Sequence, residues 1–269
     1  MRGVLLLVLL ILAAPLTAAT RVVSLAPSLS EIVVELQAAD LLVGQLEGGE
    51  RLAALEHVPA VGRYGQIDME RLLSVKPDLL LVWPGSVPAA QRDQLKRLGI
   101  PVYSAEPHSL DELIDQIEAI AVQLGRAQQG RERARQLREQ LQALRVRYHR
   151  EQPLRVFYQV WDKPLYTLGA GQIVSDALAV CGARNVFAEL KVPAPQVSLE
   201  SVLLRDPQVI LAANQVQLDA WKAWPQVDAV RNGRLLQVPD KGLERPSGQM
   251  IAATAQLCQA LAATAPVSR

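Results

Sequence analysis

The chain has 269 residues, of which 50% are hydrophobic and 20% are charged, and its formal net charge is +1. This length is enough for one large domain or for two of ordinary size. The near-neutral charge excludes the strong positive field that attracts nucleic acids and anionic membrane surfaces, so we expect neither of them as a partner.

Residues 1–19 are predicted to be a secretory signal peptide. Arg2 supplies the positive charge, residues 4–12 form an unbroken apolar run, and the small residues at 17–19 favour cleavage after Ala19. The apolar run is too short to span a bilayer, although a buried strand or helix would have the same composition. We therefore expect a periplasmic protein that is soluble once the signal peptide is removed.

Residues 20–125 alternate between predicted strands and predicted helices, which is typical of an α/β lobe with a parallel sheet. The predicted strands cover residues 22–25, 40–44, 79–83 and 100–105. The predicted helices cover residues 30–38, 69–75, 89–98 and 109–124. Gly44 is expected to end its strand, and Ser28 or Ser30 is expected to cap the first helix.

A long charged helix is predicted over residues 126–152, with Leu137, Leu141 and Leu144 as its apolar seam. The order of elements restarts over residues 153–269, which gives a second lobe. The predicted fold class is therefore α/β: two similar lobes with parallel sheets are joined by one long backbone helix, and a cleft lies between them. Ligands favour such domain interfaces and the carboxyl ends of parallel strands.

One sequence element occurs twice in the chain, at a constant offset of 130 residues. The first copy is DMERLLSVKPDLLLVW at 68–83, and the second is SLESVLLRDPQVILAA at 198–213. Each copy predicts a helix, a proline break and a strand that is buried on both faces. The duplication supports two lobes of similar fold.

Each copy of the element has a glutamate in the first turn of its helix, Glu70 and Glu200. Taken alone, both residues complement the positive end of the helix macrodipole, which is worth about 0.3–1 kcal/mol each. In the first copy, Asp68 is expected to cap the helix. The buried stripe of that helix is predicted to consist of Leu72, Leu73 and Val75.

Aromatic residues stand at several predicted strand ends and loops, although they make up only 4% of the chain. Trp83 ends a strand, Tyr64 lies between two glycines, and Tyr166 follows the first strand of the second lobe. Flat aromatic faces suit a large planar or macrocyclic ligand, and ordinary packing is the alternative. The loop at 239–249 adds polar groups that can hydrogen-bond a ligand or remain solvated, namely Asp240, Glu244 and Arg245.

Residues that carry catalysis or bind metals are scarce. The three histidines, His57, His108 and His149, have no metal-ligand spacing, and neither a nucleophile elbow nor a phosphate-binding loop is present. We therefore expect no enzyme, no catalytic residue, no metal and no cofactor. The two cysteines, Cys181 and Cys258, favour a disulfide in an exported protein, with two buried free thiols as the alternative.

The chain resembles the helical-backbone (class III) family of periplasmic substrate-binding proteins. Within that family it is most similar to the branch that binds vitamin B12 (cobalamin) for an ABC importer. The resemblance covers nearly all of the predicted mature chain. It is carried by RVVSLAPSLSEIVVEL, VGRYGQIDMERLLSVKPDLLLVW, IVSDALAVCGARNVF, VPAPQVSLESVLLRDPQVIL and ERPSGQMIAATAQLC.

The resemblance implies a monomeric protein that binds cobalamin or a related corrinoid and docks on the membrane subunits of an ABC transporter. The residues that it places at the ligand are Ser28, Tyr64, Trp83, Tyr166, Asp240, Glu244 and Arg245. It assigns Glu70 and Glu200 to transporter docking, one from each lobe, and it pairs Cys181 with Cys258 in a disulfide. Corrinoid is the ligand in this reading, and no cofactor is implied.

The sequence departs from the family pattern at Ala194, where a tryptophan is expected within the VPxPQVS segment. The loss of an aromatic ring predicts weaker binding or a preference for another corrinoid such as cobinamide. The first alternative is a haem- or ferric-siderophore-binding protein of the same class, with Tyr64 or Tyr166 as an axial ligand or with Arg63 and Arg245 facing a siderophore. A periplasmic hydrolase that uses one of the histidines is the remote alternative.

Overall fold

The computed structural model describes residues 18–48 and 52–264, and these contain eleven strands and ten α-helices. The first six strands are β1 (Val22–Ser24), β2 (Leu42–Glu47), β3 (Ala60–Arg63), β4 (Gln66–Ile67), β5 (Leu79–Val82) and β6 (Val102–Ser104). The others are β7 (Leu154–Asp162), β8 (Leu165–Thr167), β9 (Ala183–Asn185), β10 (Val209–Ala212) and β11 (Leu235–Gln237). They form two separate sheets, one in each lobe.

The helices surround these two sheets. The first five are α1 (Pro27–Glu35), α2 (Met69–Ser74), α3 (Ala89–Arg97), α4 (Leu110–Gln123) and α5 (Ala127–Tyr148). The others are α6 (Ile173–Val180), α7 (Leu199–Arg205), α8 (Gln215–Ala220), α9 (Asp228–Arg231) and α10 (Gln249–Ala263). The predicted long helix between the lobes is α5, and its 22 residues make it the longest of the described helices.

The first sheet has the strand order β4-β3-β2-β1-β5-β6, and all its pairings are parallel except that of β3 with β4. The central strands β1 and β5 are buried along their whole length, because helices cover both faces. The second sheet has the order β11-β10-β7-β8, and β9 pairs with the first half of β7. Its strands are parallel apart from the hairpin of β7 and β8.

One continuous hydrophobic core joins the two lobes. It contains Val22 and Leu81 from the first sheet, Val156 and Leu211 from the second, and Leu137 from α5 between them. A smaller hydrophobic cluster covers the other face of each sheet, one in the first lobe and one in the second. The shared core means that the lobes and α5 pack together, and both α4 and α10 pack against α5.

The repeated element folds in the same way in both lobes. Asp68 caps α2 and Ser198 caps α7, because each side chain accepts a hydrogen bond from a backbone N–H in the first turn. The residue before each proline, Lys76 or Asp206, has a left-handed backbone with φ of 45° or 40°. Each helix is followed by a fully buried strand, β5 or β10, as the duplication predicts.

A disulfide joins Cys181 at the end of α6 to Cys258 in α10, with a sulfur–sulfur distance of 2.03 Å. Both cysteines are fully buried within the core of the second lobe. The predicted pairing is therefore confirmed, and the alternative of two free thiols is wrong.

Several local expectations are corrected by the structure. β2 does not stop at Gly44 but continues through it to Glu47. The glycine there leaves room for β3, because a Cβ would lie 2.8 Å from Val61 Cγ1. Neither Ser28 nor Ser30 caps α1, because the helix begins at Pro27 and both serines lie inside it. In α2 only Leu72 is buried, while Leu73 is 38% exposed.

The short antiparallel pairing of β3 with β4 has no counterpart among the predicted elements, and it places Tyr64 in a tight turn. The predicted signal peptide falls almost wholly on residues 1–17, which lie outside the described residues. The domain boundaries at 125, 152 and 153 stay a prediction, because the core continues across them.

Candidate ligand-binding site

The two lobes meet at the carboxyl ends of their parallel strands. The His108 Nδ1 atom donates a hydrogen bond to the Gly171 carbonyl over 2.9 Å. The Leu110 N–H, at the start of α4, donates to the Asp176 carboxylate in α6 over 2.8 Å. These contacts fix the edge of the second lobe that faces the first, and a cleft bounded by the strand ends opens beside them.

Two aromatic residues of the first lobe lie at the carboxyl ends of its parallel strands, Tyr64 after β3 and Trp83 after β5. Tyr64 is 68% exposed in the turn between β3 and β4, and Trp83 directly follows β5. The Gly65 N–H donates to the Ser86 carbonyl over 3.2 Å, which holds the two segments together. A Cβ built on Gly85 would lie 3.2 Å from Tyr64 Oη and 3.3 Å from Trp83 Nε1. The side chains of Tyr64 and Trp83 therefore both lie close to Gly85.

Ser28 lies in the first turn of α1, just after the carboxyl end of β1, and its side chain is buried. In the second lobe, Tyr166 lies in β8 and pairs across the hairpin with Trp161 at the end of β7. Trp161 is 57% exposed, and it is absent from the residues predicted for the site. Its signal is visible in the sequence, because a tryptophan ends the predicted strand LRVFYQVW in the same way that Trp83 ends the predicted strand at 79–83.

The loop at 239–249 holds its charged residues in hydrogen bonds within the protein. The Asp240 carboxylate accepts from the Gly242 N–H over 2.7 Å and from Gln256 Nε2 over 2.8 Å. The Tyr158 hydroxyl donates to the Glu244 carboxylate over 3.3 Å. Burial and the neighbouring Glu244 carboxylate both raise the pKa of Tyr158, so this phenol remains protonated as a donor.

Arg245 belongs to a polar network that ties the two lobes together. The Glu31 carboxylate in α1 forms an ion pair with Arg245 at 3.1 Å and accepts from Ser247 Oγ at 2.7 Å and from Gln249. This carboxylate therefore links the first lobe to the loop that precedes α10. A cavity of about 410 Å³ borders these residues.

A second carboxylate in α1, that of Glu35, completes the network. It accepts from the Gly248 N–H over 3.1 Å and forms an ion pair with Arg133 of α5. We call this network the interlobe clamp, and it consists of Glu31, Glu35, Arg133, Arg245, Ser247, Gly248 and Gln249. It joins the first lobe, the second lobe and the backbone helix.

Glu70 and Glu200 lie at the same position in the two lobes, in the exposed first turns of α2 and α7. The pKa of Glu200 is lowered by a hydrogen bond from its own backbone N–H and by a second from the Ser198 side chain. One turn beyond Glu200 on the same face of α7, Leu204 is 87% exposed. A large apolar side chain that is this accessible extends the surface around Glu200.

No group of three or more His, Cys, Asp or Glu side chains is arranged to hold a metal ion within 18–48 and 52–264. Over the same ranges, every helix is too short or too polar to cross a lipid bilayer.

Two α/β lobes, a long helix between them and an interlobe cleft with exposed aromatic rings define a two-lobed ligand-binding protein. Residues 22–241 match the family described as periplasmic binding protein, and the chain belongs to that family.

Similar proteins agree with this assignment. The vitamin B12-binding protein of Vibrio cholerae serotype O1 is 35% identical over 243 residues, which are 89% of this chain and 88% of that protein. The crystal structure of the periplasmic vitamin B12 binding protein BtuF of Vibrio cholerae superposes with a TM-score of 0.83 at 34% identity. That superposition covers 91% of this chain and 98% of the other.

The periplasmic heme binding protein HutB of Vibrio cholerae has the same fold at much lower sequence similarity. Its TM-score is 0.77 at 20% identity, with 90% of this chain and 98% of that chain covered.

Proposed function

We propose that this protein captures cobalamin or a related corrinoid in the periplasm and delivers it to an ABC transporter, without catalysing a reaction itself. The observation that carries the proposal is the similarity to vitamin B12-binding proteins over about nine-tenths of both chains. The convergence of Tyr64 and Trp83 at the cleft supports it, because exposed rings suit a large planar macrocycle.

The ligand-contacting residues in this proposal are those that the sequence singled out: Ser28, Tyr64, Trp83, Tyr166, Asp240, Glu244 and Arg245. Their roles differ with their surroundings. The aromatic residues offer ring faces, and Glu244 offers an exposed carboxylate to the amide groups on a corrinoid rim. Asp240 and Arg245 are proposed as ligand contacts as well, and the hydrogen bonds of the first and the ion pair of the second also orient the loop that carries Glu244.

Glu70 and Glu200 are the proposed docking residues for the two membrane subunits of the transporter. Their equivalent places in the two lobes support this role, since a partner built from two like subunits presents the same surface twice. The exposed Leu204 adds apolar surface beside Glu200. The protein acts as a monomer in this proposal.

Titration of the purified protein by calorimetry tests the proposed ligand. Cyanocobalamin, cobinamide, haem and a ferric siderophore are added in separate experiments. At least one corrinoid is expected to bind with a dissociation constant below about 10 μM, and more tightly than haem or the siderophore. The absence of corrinoid binding in this range would contradict the proposal.

A haem-binding protein is the second candidate, and the exposed phenol of Tyr64 is the observation that favours it. A Tyr64→Phe variant separates the two ligands. The variant keeps the ring face that a corrinoid would contact but removes the oxygen that would coordinate haem iron. Haem binding would therefore fall sharply in this variant, with a changed absorption spectrum, while corrinoid binding would stay close to that of the parent.

A further inference from the structure

The strand β7 extends beyond the sheet to which it belongs. Its pairing with β10 ends at Gln159, while residues 160–162 continue and pair only with β8. Trp161 lies in this extension, directly opposite Tyr166 in the antiparallel register. Directly opposed residues project from the same face of a hairpin, so the two rings share one face.

A third segment, 193–197, runs antiparallel to β8 and widens this face. The Val197 N–H donates to the Leu165 carbonyl over 3.0 Å, and the Thr167 N–H donates to the Pro195 carbonyl over 3.1 Å. Gln196 is the bridge partner of Tyr166, and it therefore shares the face of Tyr166.

Side chains alternate along an extended segment, so Ala194 lies on the same face as Gln196. Both are exposed, whereas Pro195 between them is buried. The opposite face turns inward, since Thr167 is fully buried and Leu165 packs against the core of the second lobe.

This face lies at the end of the second lobe that meets the first. The segment after β8 contacts the first lobe through Gly171 and His108, and α6 contacts it through Asp176 and Leu110. The tip of the hairpin projects past the same end of the sheet. Trp161 therefore stands at the mouth of the cleft, with more than half of its side-chain surface open.

We propose that Trp161 contacts the bound ligand and provides the aromatic wall of the second lobe, on the face where Ala194 contributes only a methyl group. The inference rests on the proposed function and names the residue that contacts the macrocycle from this side. An indole offers the largest ring face of any side chain, and contact with a planar ligand removes its exposed apolar surface from water. Trp161 and Tyr166 are therefore the two aromatic side chains on this face, and Trp161 is the more exposed of the two.

The test compares Trp161→Ala and Trp161→Phe with the parent protein in calorimetric titrations with cyanocobalamin. We expect Trp161→Ala to weaken binding about tenfold or more, and Trp161→Phe by no more than about threefold, because a phenyl ring keeps most of the contact. Val146→Ala serves as the control, since Val146 is a similarly exposed apolar residue on α5. The control should bind like the parent.

Thermal denaturation of each variant separates a contact from a structural role. Trp161 is largely exposed, so all variants should unfold within about 2 °C of the parent. An unchanged affinity in Trp161→Ala would overturn the inference, and so would equal losses in the Ala and Phe variants. If the parent itself fails to bind a corrinoid, the proposed function fails, and that outcome is distinct from parent binding that is insensitive to residue 161.

Discussion

Tyr64 is a proposed ligand contact whose side chain contributes little to the core of the protein. Its ring is 68% exposed, and it belongs to none of the hydrophobic clusters among the described residues. Trp83, by contrast, packs partly against the shared core, so its removal would disturb the fold as well as the site. Substitution at Tyr64 therefore tests the proposed ligand contact with little effect on the fold.

We predict that Tyr64→Ala weakens cyanocobalamin binding by about three- to tenfold, because one ring contact is worth about 0.5–1.5 kcal/mol. The melting temperature should stay within about 1–2 °C of the parent, since an exposed side chain is removed. Calorimetry and differential scanning fluorimetry provide the two measurements. Tyr64→Phe is the matched control and should bind the corrinoid normally; an equal loss in both variants would show that the phenol oxygen, not the ring, makes the contact.

Helix caps and helix ends could be predicted, because they depend on residues that are close in sequence. Contacts between residues that are far apart in sequence could not. Ser109 caps α4 as expected, and the helix covers Leu110–Gln123 against the predicted 109–124. The interlobe clamp has no local signal, because Glu31 and Ser247 are 216 positions apart. The prediction that Gly44 ends its strand is wrong. This glycine leaves room for Val61, which becomes its neighbour only in the folded sheet.

At the scale of elements, Asp78 directly precedes β5, and its side chain binds the start of the described chain. Its carboxylate accepts from the Thr20 N–H at 2.9 Å, from Thr20 Oγ1 at 2.7 Å and from the Arg21 N–H at 2.9 Å. Burial works to raise the pKa of Asp78, but these hydrogen bonds outweigh burial and lower it. If processing occurs after Ala19, the Thr20 nitrogen becomes the amino terminus and adds a positive charge to the same contact.

A lowered carboxyl pKa gives stability that is present above the unfolded-state pKa, near 3.9, and is lost as the pH falls through the folded-state pKa. We predict that Asp78→Ala lowers the melting temperature above about pH 4 and that the difference from the parent shrinks below that pH. Thermal melts between pH 2.5 and 7 measure it. A difference that stays constant down to the lowest pH would argue against a role for the ionised carboxylate.

The disulfide binds α6 to α10 across a separation of 77 residues. Closing a loop of this length lowers the conformational entropy of the unfolded chain. This stabilises the folded state by at most about 4 kcal/mol. We predict that the double variant Cys181→Ala, Cys258→Ala loses about 2–4 kcal/mol of unfolding free energy in urea titrations. The parent under reducing conditions serves as a control and should behave like the variant. Equal stability of the oxidised parent and the variant would refute this estimate.

At the scale of the whole molecule, each lobe exposes a glutamate at the equivalent place of its repeated helix, Glu70 in the first lobe and Glu200 in the second. We predict that the double variant Glu70→Lys, Glu200→Lys abolishes corrinoid uptake by cells while binding cyanocobalamin with unchanged affinity. The reason is that reversed charges repel a docking partner that the original charges attract. Uptake of labelled cyanocobalamin and calorimetry with the purified variant measure the two properties.

A matched control carries the same change in net charge elsewhere. Glu56→Lys, Glu151→Lys alters two exposed glutamates outside the repeated helices, and uptake should continue in this variant. Normal uptake by the Glu70 and Glu200 variant would remove the docking assignment. Loss of cyanocobalamin binding in that variant would show that these residues act on the ligand.

The interlobe clamp also bears on how far the two lobes can move. Core, backbone helix and clamp hold the lobes together, and a side chain at position 248 would displace the Glu35 carboxylate from its place in the clamp. In the function proposed above, such a joint would select a ligand by its fit to an opening of fixed width, and not by closure of one lobe onto the other.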